Sequence, residues 1–352
     1  MTKLSVPSFV RCREPLAPLT PLELGGKAEY FVDATEETVL LEALRWAKRE
    51  KLPVHVMGGG SNLVIADQGV EGLVVRIALP GHSMQEKKGA LHVTASAGEV
   101  WDGLVQEVVM QNCAGIECLS GIPGLVGATP IQNVGAYGQE VSDTIQSVTV
   151  LERESLQVRS LSAAECDFSY RGSRFKTHPH EFIVLGVSFV FQYQGKPSLA
   201  YKELASAFED QAPPTLEDVR QKVLELRRSK SMLIDADDPN RRSVGSFFMN
   251  PIVPQAVLAR MTSSTSEQVP SFALEDELYK IPAAWLIEHT GFHKGQRHGN
   301  VGISSKHALA LVHDGHGSSA ELCNFARSIR AAVQARFGIK LMPEPALWGL
   351  QL

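Results

Sequence analysis

The chain has 352 residues, of which 44% are hydrophobic and 21% are charged, and its formal net charge at neutral pH is −5. This length exceeds what one hydrophobic core normally serves, so we expect two or three domains. The acidic balance argues against a nucleic-acid partner, and the lack of a long apolar run or a signal-peptide core predicts a cytoplasmic protein without a membrane contact.

The first part of the chain predicts strands that alternate with helices. Apolar residues at helical spacing predict a helix over residues 36–50, and a short apolar strand follows at 53–57. Alternating patterns predict strands at 72–77 and 91–95, and a helix over 100–111 then leads into a glycine-rich run.

The remainder of the chain completes an α+β pattern. Alternation predicts antiparallel strands at 147–152, 157–161 and 182–193. A helix is predicted over 216–229, and the polar stretch 235–242 is typical of a domain boundary. Beyond it we expect a new unit with helices over 282–289 and 319–337, a strand at 308–312, and a surface loop at 262–268.

Two glycine-rich segments stand out as candidate ligand surfaces. The first, Gly58-Gly59-Gly60-Ser61-Asn62-Leu63, follows a predicted strand and could cradle phosphate with its main-chain N–H groups. It is not a Rossmann fingerprint, because Leu63 stands where the last glycine would be.

The second segment, residues 119–139, carries no charge but has five glycines and two prolines. Pro123 and Pro130 exclude a regular helix, so a buried irregular backbone is expected. Such a backbone could lie against a flat or phosphorylated ligand, or could be a tight loop packed between strands.

The two segments together resemble the flavin-binding half of the UDP-N-acetylenolpyruvoylglucosamine reductase (UDP-N-acetylmuramate dehydrogenase, MurB) family. The resemblance continues through residues 168–176, 245–251, 283–288 and 343–345. It implies an FAD-binding fold of the PCMH or vanillyl-alcohol-oxidase type in two subdomains, followed by a C-terminal α+β substrate-binding domain. The implied bounds are 1–78 with the tail 344–352 for the first subdomain, 79–230 for the second, and 231–343 for the substrate domain.

The resemblance also implies which residues bind FAD. They fall within the two glycine-rich segments and comprise Gly58, Gly59, Gly60, Ser61, Asn62, Leu63, Gly121, Ile122, Pro123, Gly124, Gly127, Ala128, Gln132, Asn133, Gly135 and Ala136.

The implied reaction is the reduction of UDP-N-acetylglucosamine enolpyruvate to UDP-N-acetylmuramate, with NADPH as donor. A monomer is expected, although the sequence does not settle the oligomeric state. Hydride addition leaves charge on the carbon beside the substrate's carboxylate, and a guanidinium with a nearby acid can stabilise it. Arg171 and Glu344 match these positions of the family, and Ser246 matches its proton donor. Because no separate Rossmann site exists for NADPH, we expect ping-pong kinetics.

The substrate contacts are implied in the same way. Tyr201, within Leu199–Leu204, matches the family form that has a tyrosine loop, whereas Phe272 replaces a tyrosine of that form. The residues expected at the sugar nucleotide are Tyr170, Tyr201, Arg227, Lys230, Asn250 and Arg297.

Two other functions stay open from the residues themselves. An FAD-dependent oxidase of an alcohol or hydroxy acid would need a base that the sequence does not reveal, and a non-catalytic flavin-binding module would not need Arg171, Ser246 and Glu344 together. The histidines between His293 and His316 match no metal motif, so we expect surface histidines and no metal. The five scattered cysteines are expected to be mostly buried thiols.

Overall fold

The structure, a computed structural model, describes residues 5–209 and 212–352. It divides into two units. The first unit comprises the chain up to Glu14, Ala28–Gly60 and Glu71–Leu233. The second unit comprises Pro15–Lys27, Ser61–Val70 and Ile234–Leu352. Residues 1–4 of the expected first subdomain and 210–211 of the expected second lie outside the described residues.

The first unit begins with a small sheet covered by one helix. The strands of this sheet, in spatial order, are Arg11–Pro15, Lys27–Ala34, Val70–Ile77 and Val54–Met57. The helix Glu37–Glu50 buries Leu40, Ala43 and Trp46, as its apolar spacing predicts. It ends where Lys51 adopts a left-handed conformation, and the positive charges of its last turn suit the helix C-terminus.

A larger antiparallel sheet forms the main core of the first unit. Its strands, in spatial order, are Val158–Ser162, Ile145–Glu152, Phe182–Tyr193, Ala90–Ser96 and His82–Lys87, and Cys113–Ala114 pairs with the end of Phe182–Tyr193. The central strand Phe182–Tyr193 is buried along most of its length, which explains its nearly continuous apolar sequence.

Two helices of the first unit have the bounds that the sequence predicts. Trp101–Met110 falls within the predicted 100–111, and Leu216–Ser229 matches its prediction at both ends. The latter starts at a capping box in which Thr215 and Asp218 accept each other's main-chain N–H groups. The shorter helices of this unit are Arg174–Thr177 and Lys202–Ser206.

The second unit has its own core, built around one long helix. Ser319–Phe337 buries Leu322, Phe325 and Ile329, starts at a capping box of Ser318 with Glu321, and ends at Gly338 with φ +71°. Its other helices are Gln255–Ser263 and Ala283–Glu288.

The strands of the second unit are short. They are Ile252–Pro254, Phe272–Ala273, Leu278–Lys280, Arg297–His298, Val301–Ile303 and Leu311–His313, together with Leu63–Ile65 and Ala346–Trp348, which pair in parallel. Among the described residues no helix is long and apolar enough to cross a membrane.

Three predictions of the sequence analysis need correction. The strand expected at 308–312 is observed at Leu311–His313, because Ala310 closes a turn onto the carbonyl of His307 before the strand begins. The helix Gln255–Ser263 extends into the expected loop at 262–268. His313 is not a surface histidine, since it is only 2% exposed at the end of the buried edge strand Leu311–His313.

Candidate active site

The two glycine-rich segments meet within the first unit. A Cβ atom placed on Gly59 would lie 3.4 Å from the Cα of Gly124, and one on Gly58 would lie 3.7 Å from Leu125 Cδ1. Gly58 and Gly59 therefore lie against the main chain of Gly124 and the side chain of Leu125. Two exposed main-chain surfaces side by side form the kind of cradle that a dinucleotide requires.

The second glycine-rich segment is fixed from behind by the start of the helix Trp101–Met110. Trp101 N donates to Gly124 O at 3.1 Å, and Val126 N donates to Glu99 O at 2.8 Å. In this pairing the N–H group of Leu125 points away from residues 99–101. The segment is thus held on one side, and a main-chain donor stays available on the other.

Gly127 is explained by packing. A Cβ atom there would lie 2.4 Å from the Cβ of Ala97, whose carbonyl accepts the Gly127 N–H at 3.0 Å. No side chain fits at this distance, so this glycine fixes the approach of the segment to the strand end.

An ion pair holds the first glycine of the segment. Gly121 N donates to Asp102 Oδ1 at 2.6 Å, and Arg220 donates to both oxygens of Asp102 at 2.7 and 2.9 Å. Burial alone would raise the pKa of Asp102, but the bonds from Arg220 and Gly121 outweigh it and hold this pKa below the ordinary value. Gly121 itself has φ +69°, a conformation that favours glycine.

A second guanidinium lies beside the same glycine. A Cβ atom on Gly121 would lie 3.4 Å from Arg227 Nε, which has no hydrogen-bond partner among the described residues. Arg227 Nη2 donates to Met232 O at 2.7 Å. Burial lowers the pKa of Arg227, although nearby Tyr137 and Asp102 oppose this effect. Part of this guanidinium is therefore suited to a negatively charged ligand.

Three of the expected substrate residues form one cluster near this guanidinium. The rings of Tyr137 and Tyr201 meet edge to face with their centroids 5.4 Å apart, and Lys230 Nζ lies 5.7 Å from the Tyr137 centroid. Burial raises the pKa of Tyr137 to about 12, and the nearby charge of Arg227 opposes this rise. Tyr201, Arg227 and Lys230 are thus brought together, with Tyr137 between them.

Arg171 occupies a strained position in a tight turn. Its φ is +54°, and the turn is closed by Ser169 and Gly172, whose N–H groups donate to each other's carbonyls at 3.1 and 3.0 Å. Its Nη2 donates to Gly135 O at 2.5 Å, and its guanidinium lies 5.4 Å from the ring centroid of Tyr170. The turn therefore sets the guanidinium against the second glycine-rich segment.

Asn133 links that segment to the turn of Arg171. Its Nδ2 donates to Glu140 Oε2 at 2.7 Å and to Ser169 O at 3.2 Å, and its Oδ1 accepts from Ser142 N at 3.1 Å. The residue is 1% exposed. Since the side chain is satisfied within the protein, the structure gives Asn133 a positioning role that the sequence did not indicate.

Ser246 and Glu344 come together within the second unit. Phe247 N donates to Leu309 O at 2.8 Å on one side, and on the other Glu344 N donates to Phe247 O at 2.9 Å. The chain at 246–249 is thus sandwiched between two neighbours and fixed on both edges. Asn62 Nδ2 donates to Glu344 O at 3.3 Å, so this expected FAD contact also borders Glu344.

The other expected substrate residues are partly engaged in the second unit. Asn250 Oδ1 accepts from Ala283 N at 2.9 Å and so caps the helix Ala283–Glu288. Arg297 is exposed in a short hairpin, where its Nη2 donates to Asn300 O at 2.8 Å. One lone pair of Asn250 Oδ1 is thus used by the main chain of this helix.

Sequence reasoning missed several residues of the site. Asp102 and Arg220 are far apart in the chain, and no motif marks either one. Glu203, which pairs with Lys230, and the fully buried Glu117 are equally inconspicuous in the sequence. Only the fold brings these groups next to the glycine-rich segment.

The residues present fit FAD. A Cβ on Gly58 or Gly59 would fill the space between the two glycine-rich segments, and the glycines keep it open. A flat ring suits these main-chain surfaces, and their N–H groups suit a phosphate.

Comparison with known proteins finds a matching family for each of two parts of the chain. A family described as "FAD binding domain" matches residues 28–159, and one described as "UDP-N-acetylenolpyruvoylglucosamine reductase, C-terminal domain" matches residues 237–348.

Curated relatives named UDP-N-acetylenolpyruvoylglucosamine reductase extend over almost the whole chain. The protein from Thermobifida fusca is 44% identical over 98% of this chain and 99% of its own length. That from Saccharopolyspora erythraea is 45% identical over 94% of each chain. A crystal structure of the reductase from Thermus caldophilus, 24% identical, covers 97% of this chain and 100% of its own, with a TM-score of 0.67, and supports the same fold.

Proposed function

The chain belongs to the UDP-N-acetylenolpyruvoylglucosamine reductase family, and from that premise we propose how its own residues carry out the family's reaction. The protein is a flavoprotein oxidoreductase with the expected α+β FAD-binding fold and C-terminal reductase domain. It reduces the enolpyruvyl double bond of UDP-N-acetylglucosamine enolpyruvate in peptidoglycan precursor synthesis, with FAD as cofactor and NADPH as electron donor.

FAD is held by the two glycine-rich segments. Gly58 and Gly59 would leave room for it beside the second segment, and the Asp102–Arg220 pair would fix Gly121 there. When bound, FAD would supply the hydride chemistry between NADPH and the terminal carbon of the substrate's double bond.

Arg171 and Glu344 stabilise the negative charge that develops on the reduced substrate. A guanidinium fits the planar carboxylate and enolate oxygens, and the contacts of Arg171 with Gly135 and Tyr170 keep it in one orientation. Glu344, fixed by its N–H bond to Phe247, shares this role as an acid group.

Ser246 then donates a proton to the carbon next to the carboxylate. A serine hydroxyl is a weak acid, so it serves only against a strongly basic carbanion in a site that excludes water. Phe247 and Phe248, which follow it, are at most 1% exposed and provide apolar surroundings.

The sugar nucleotide is bound by residues whose charge complements it. Tyr201, Arg227 and Lys230 form the cluster described above, and Tyr170 lies against Arg171. Asn250 and Arg297 complete the proposed set. The tyrosine-loop form of the family stays a prediction for this chain.

The three-part division and the cellular setting are also proposals. The proposed division is 1–78 with the tail 344–352, then 79–230 and 231–343, although the pairing of Ala346–Trp348 with Leu63–Ile65 lies wholly within the second unit. We further propose a cytoplasmic monomer that binds neither nucleic acid nor membrane, which size-exclusion chromatography and cell fractionation test.

The observation that carries this mechanism is the main-chain bond that brings Glu344 beside Ser246. A module that only binds flavin has no need of this pair. We expect Ser246→Ala to be reduced by NADPH at the wild-type rate but to lose turnover of the enolpyruvyl substrate by at least about a hundredfold. Unchanged turnover would refute the assignment of Ser246 as proton donor.

A further inference from the structure

We propose that Glu203 is a positioning residue for Lys230. Its carboxylate pairs with the Lys230 ammonium group in the absence of substrate, and the anionic sugar nucleotide displaces this carboxylate when it binds. The proposal rests on the function proposed above, because it needs Lys230 to bind the substrate. It makes Glu203 a determinant of substrate affinity, although this residue is not expected to touch the substrate.

The two side chains form an ion pair at the edge of the cluster. Lys230 Nζ donates to Glu203 Oε2. Their side chains are 27% and 41% exposed, so a dissolved anion can reach the ammonium group. Lys230 lies just after the C-terminus of the helix Leu216–Ser229, and Glu203 lies in the first turn of Lys202–Ser206.

The ammonium group is also fixed against the glycine-rich segment. It lies 5.7 Å from the ring centroid of Tyr137, whose φ of +48° marks a constrained main chain. Tyr201 packs edge to face on the same ring. Lys230 is therefore held where a ligand on the segment would need a positive charge.

The segment that carries Glu203 is anchored on both sides. Before it, Ser198 N donates to Glu117 Oε1 at 2.8 Å, and this fully buried carboxylate also accepts from Gln139 Nε2 at 2.9 Å. After it, Leu204 is completely buried in an apolar cluster with Val219 and Val223. The position of Glu203 beside Lys230 is thus set by the fold.

A single carboxylate is a weak competitor for this lysine. A part-exposed ion pair gains little over solvation, whereas a diphosphate offers more charge and more acceptor oxygens to the same ammonium. The substrate must still break the Lys230–Glu203 pair before it binds. Removing the carboxylate should therefore tighten substrate binding, and only as long as Lys230 is present.

The test is titration calorimetry of UDP-N-acetylglucosamine enolpyruvate into the purified FAD-loaded protein. We expect Glu203→Gln to lower Kd by about two- to fivefold at low salt, and the gain to shrink as salt rises. In a Lys230→Met background the same substitution should leave Kd unchanged. Glu225→Gln is the matched control, because it removes the carboxylate of another Lys–Glu pair. Glu225 accepts from Lys222 at 2.6 Å, and both residues lie on the helix Leu216–Ser229.

An unchanged or raised Kd in Glu203→Gln would overturn the proposal, as would an equal gain in the Lys230→Met background. A thermal melt checks that the variant is folded. Failure of the proposed function would give a different result. The wild type would then bind the sugar nucleotide as predicted but would not reduce it.

Discussion

The main-chain N–H of Glu344 donates to the carbonyl oxygen of Phe247 at 2.9 Å. This bond joins the C-terminal tail to the residue that follows Ser246. It places the main chain of the proposed acid next to that of the residue following the proposed proton donor, and the backbone holds both segments in this register. Met249 N, which donates to Met342 O at 3.0 Å, extends the same pairing.

A lysine at position 171 tests whether the reaction needs only the positive charge of Arg171 or also the geometry of its guanidinium. Arg171→Lys keeps the positive charge but loses the paired donors, so we expect kcat to fall by about a hundredfold while flavin reduction by NADPH is unchanged. Steady-state kinetics and a stopped-flow trace of flavin reduction give the two rates. Arg174→Lys is the control, since Arg174 pairs with Glu181 at 2.6 Å in a nearby surface ion pair. An equal fall in kcat in Arg171→Lys and Arg174→Lys would contradict the role of Arg171.

The clamp on Gly121 should support both stability and cofactor binding. Asp102→Asn leaves Arg220, which is 5% exposed, without its carboxylate. Allowing for the partial exposure of Asp102, we expect a loss of about 2 kcal/mol in the free energy of unfolding and weaker FAD binding. Urea unfolding of the apoprotein and quenching of FAD fluorescence measure the two effects. Stability and FAD affinity equal to wild type would show that the clamp is dispensable.

Alanine substitutions at two glycines of the site should have different effects, one on stability and the other on FAD binding. Gly127→Ala brings its Cβ to 2.4 Å from that of Ala97, so we expect a loss of about 1–3 kcal/mol in the free energy of unfolding. Gly58→Ala meets nothing closer than 3.7 Å, so it should fold like wild type but bind FAD at least about tenfold more weakly. Full FAD affinity in Gly58→Ala would exclude the proposed cradle at that residue.

The buried His313 should make stability depend on pH. Its Nε2 lies 2.6 Å from Leu22 O and its Nδ1 accepts from Gly315 N at 3.1 Å, which suits only the neutral ring. Burial lowers the pKa of His313, and the charge of Arg242 adds to this effect, although Leu22 O, Glu23 and Asp314 oppose it. The unfolded chain therefore binds the proton more readily than the folded one.

The stabilising contribution of His313 is thus fully present above its ordinary pKa of 6.5 and is lost as the pH falls below that value. Urea unfolding at pH 7.5 and 5.5 should show a lower midpoint in acid for the wild type. The difference should be smaller in His313→Gln. An identical pH dependence in the two proteins would refute this account.

Local patterns explain which parts of the fold could be predicted from the sequence. The helices Leu216–Ser229 and Ser319–Phe337 combine apolar spacing with capping boxes, and both bounds of each were predicted. The strand Leu311–His313 was placed too early, because the apolar residues Ala308 and Leu309 precede it in irregular structure. Periodicity cannot distinguish a buried turn from a strand of the same composition.

The site was predictable only where a motif carries it. The glycine-rich segments predict a cradle, but nothing local marks Asp102 and Arg220 as partners. His313 was taken for a surface residue because histidine is usually exposed, whereas a strand and two hydrogen bonds hold it in the core. Such partners depend on contacts between distant residues, which one sequence does not reveal.

The central claim is tested most directly by following flavin absorbance of the purified protein without oxygen, first with NADPH and then with UDP-N-acetylglucosamine enolpyruvate. We predict that NADPH bleaches the flavin and that the enolpyruvyl substrate restores its absorbance, which would establish cofactor, donor and acceptor in one experiment. Bleaching without recovery would contradict the assigned substrate. A colourless protein that binds no added FAD would contradict the whole account.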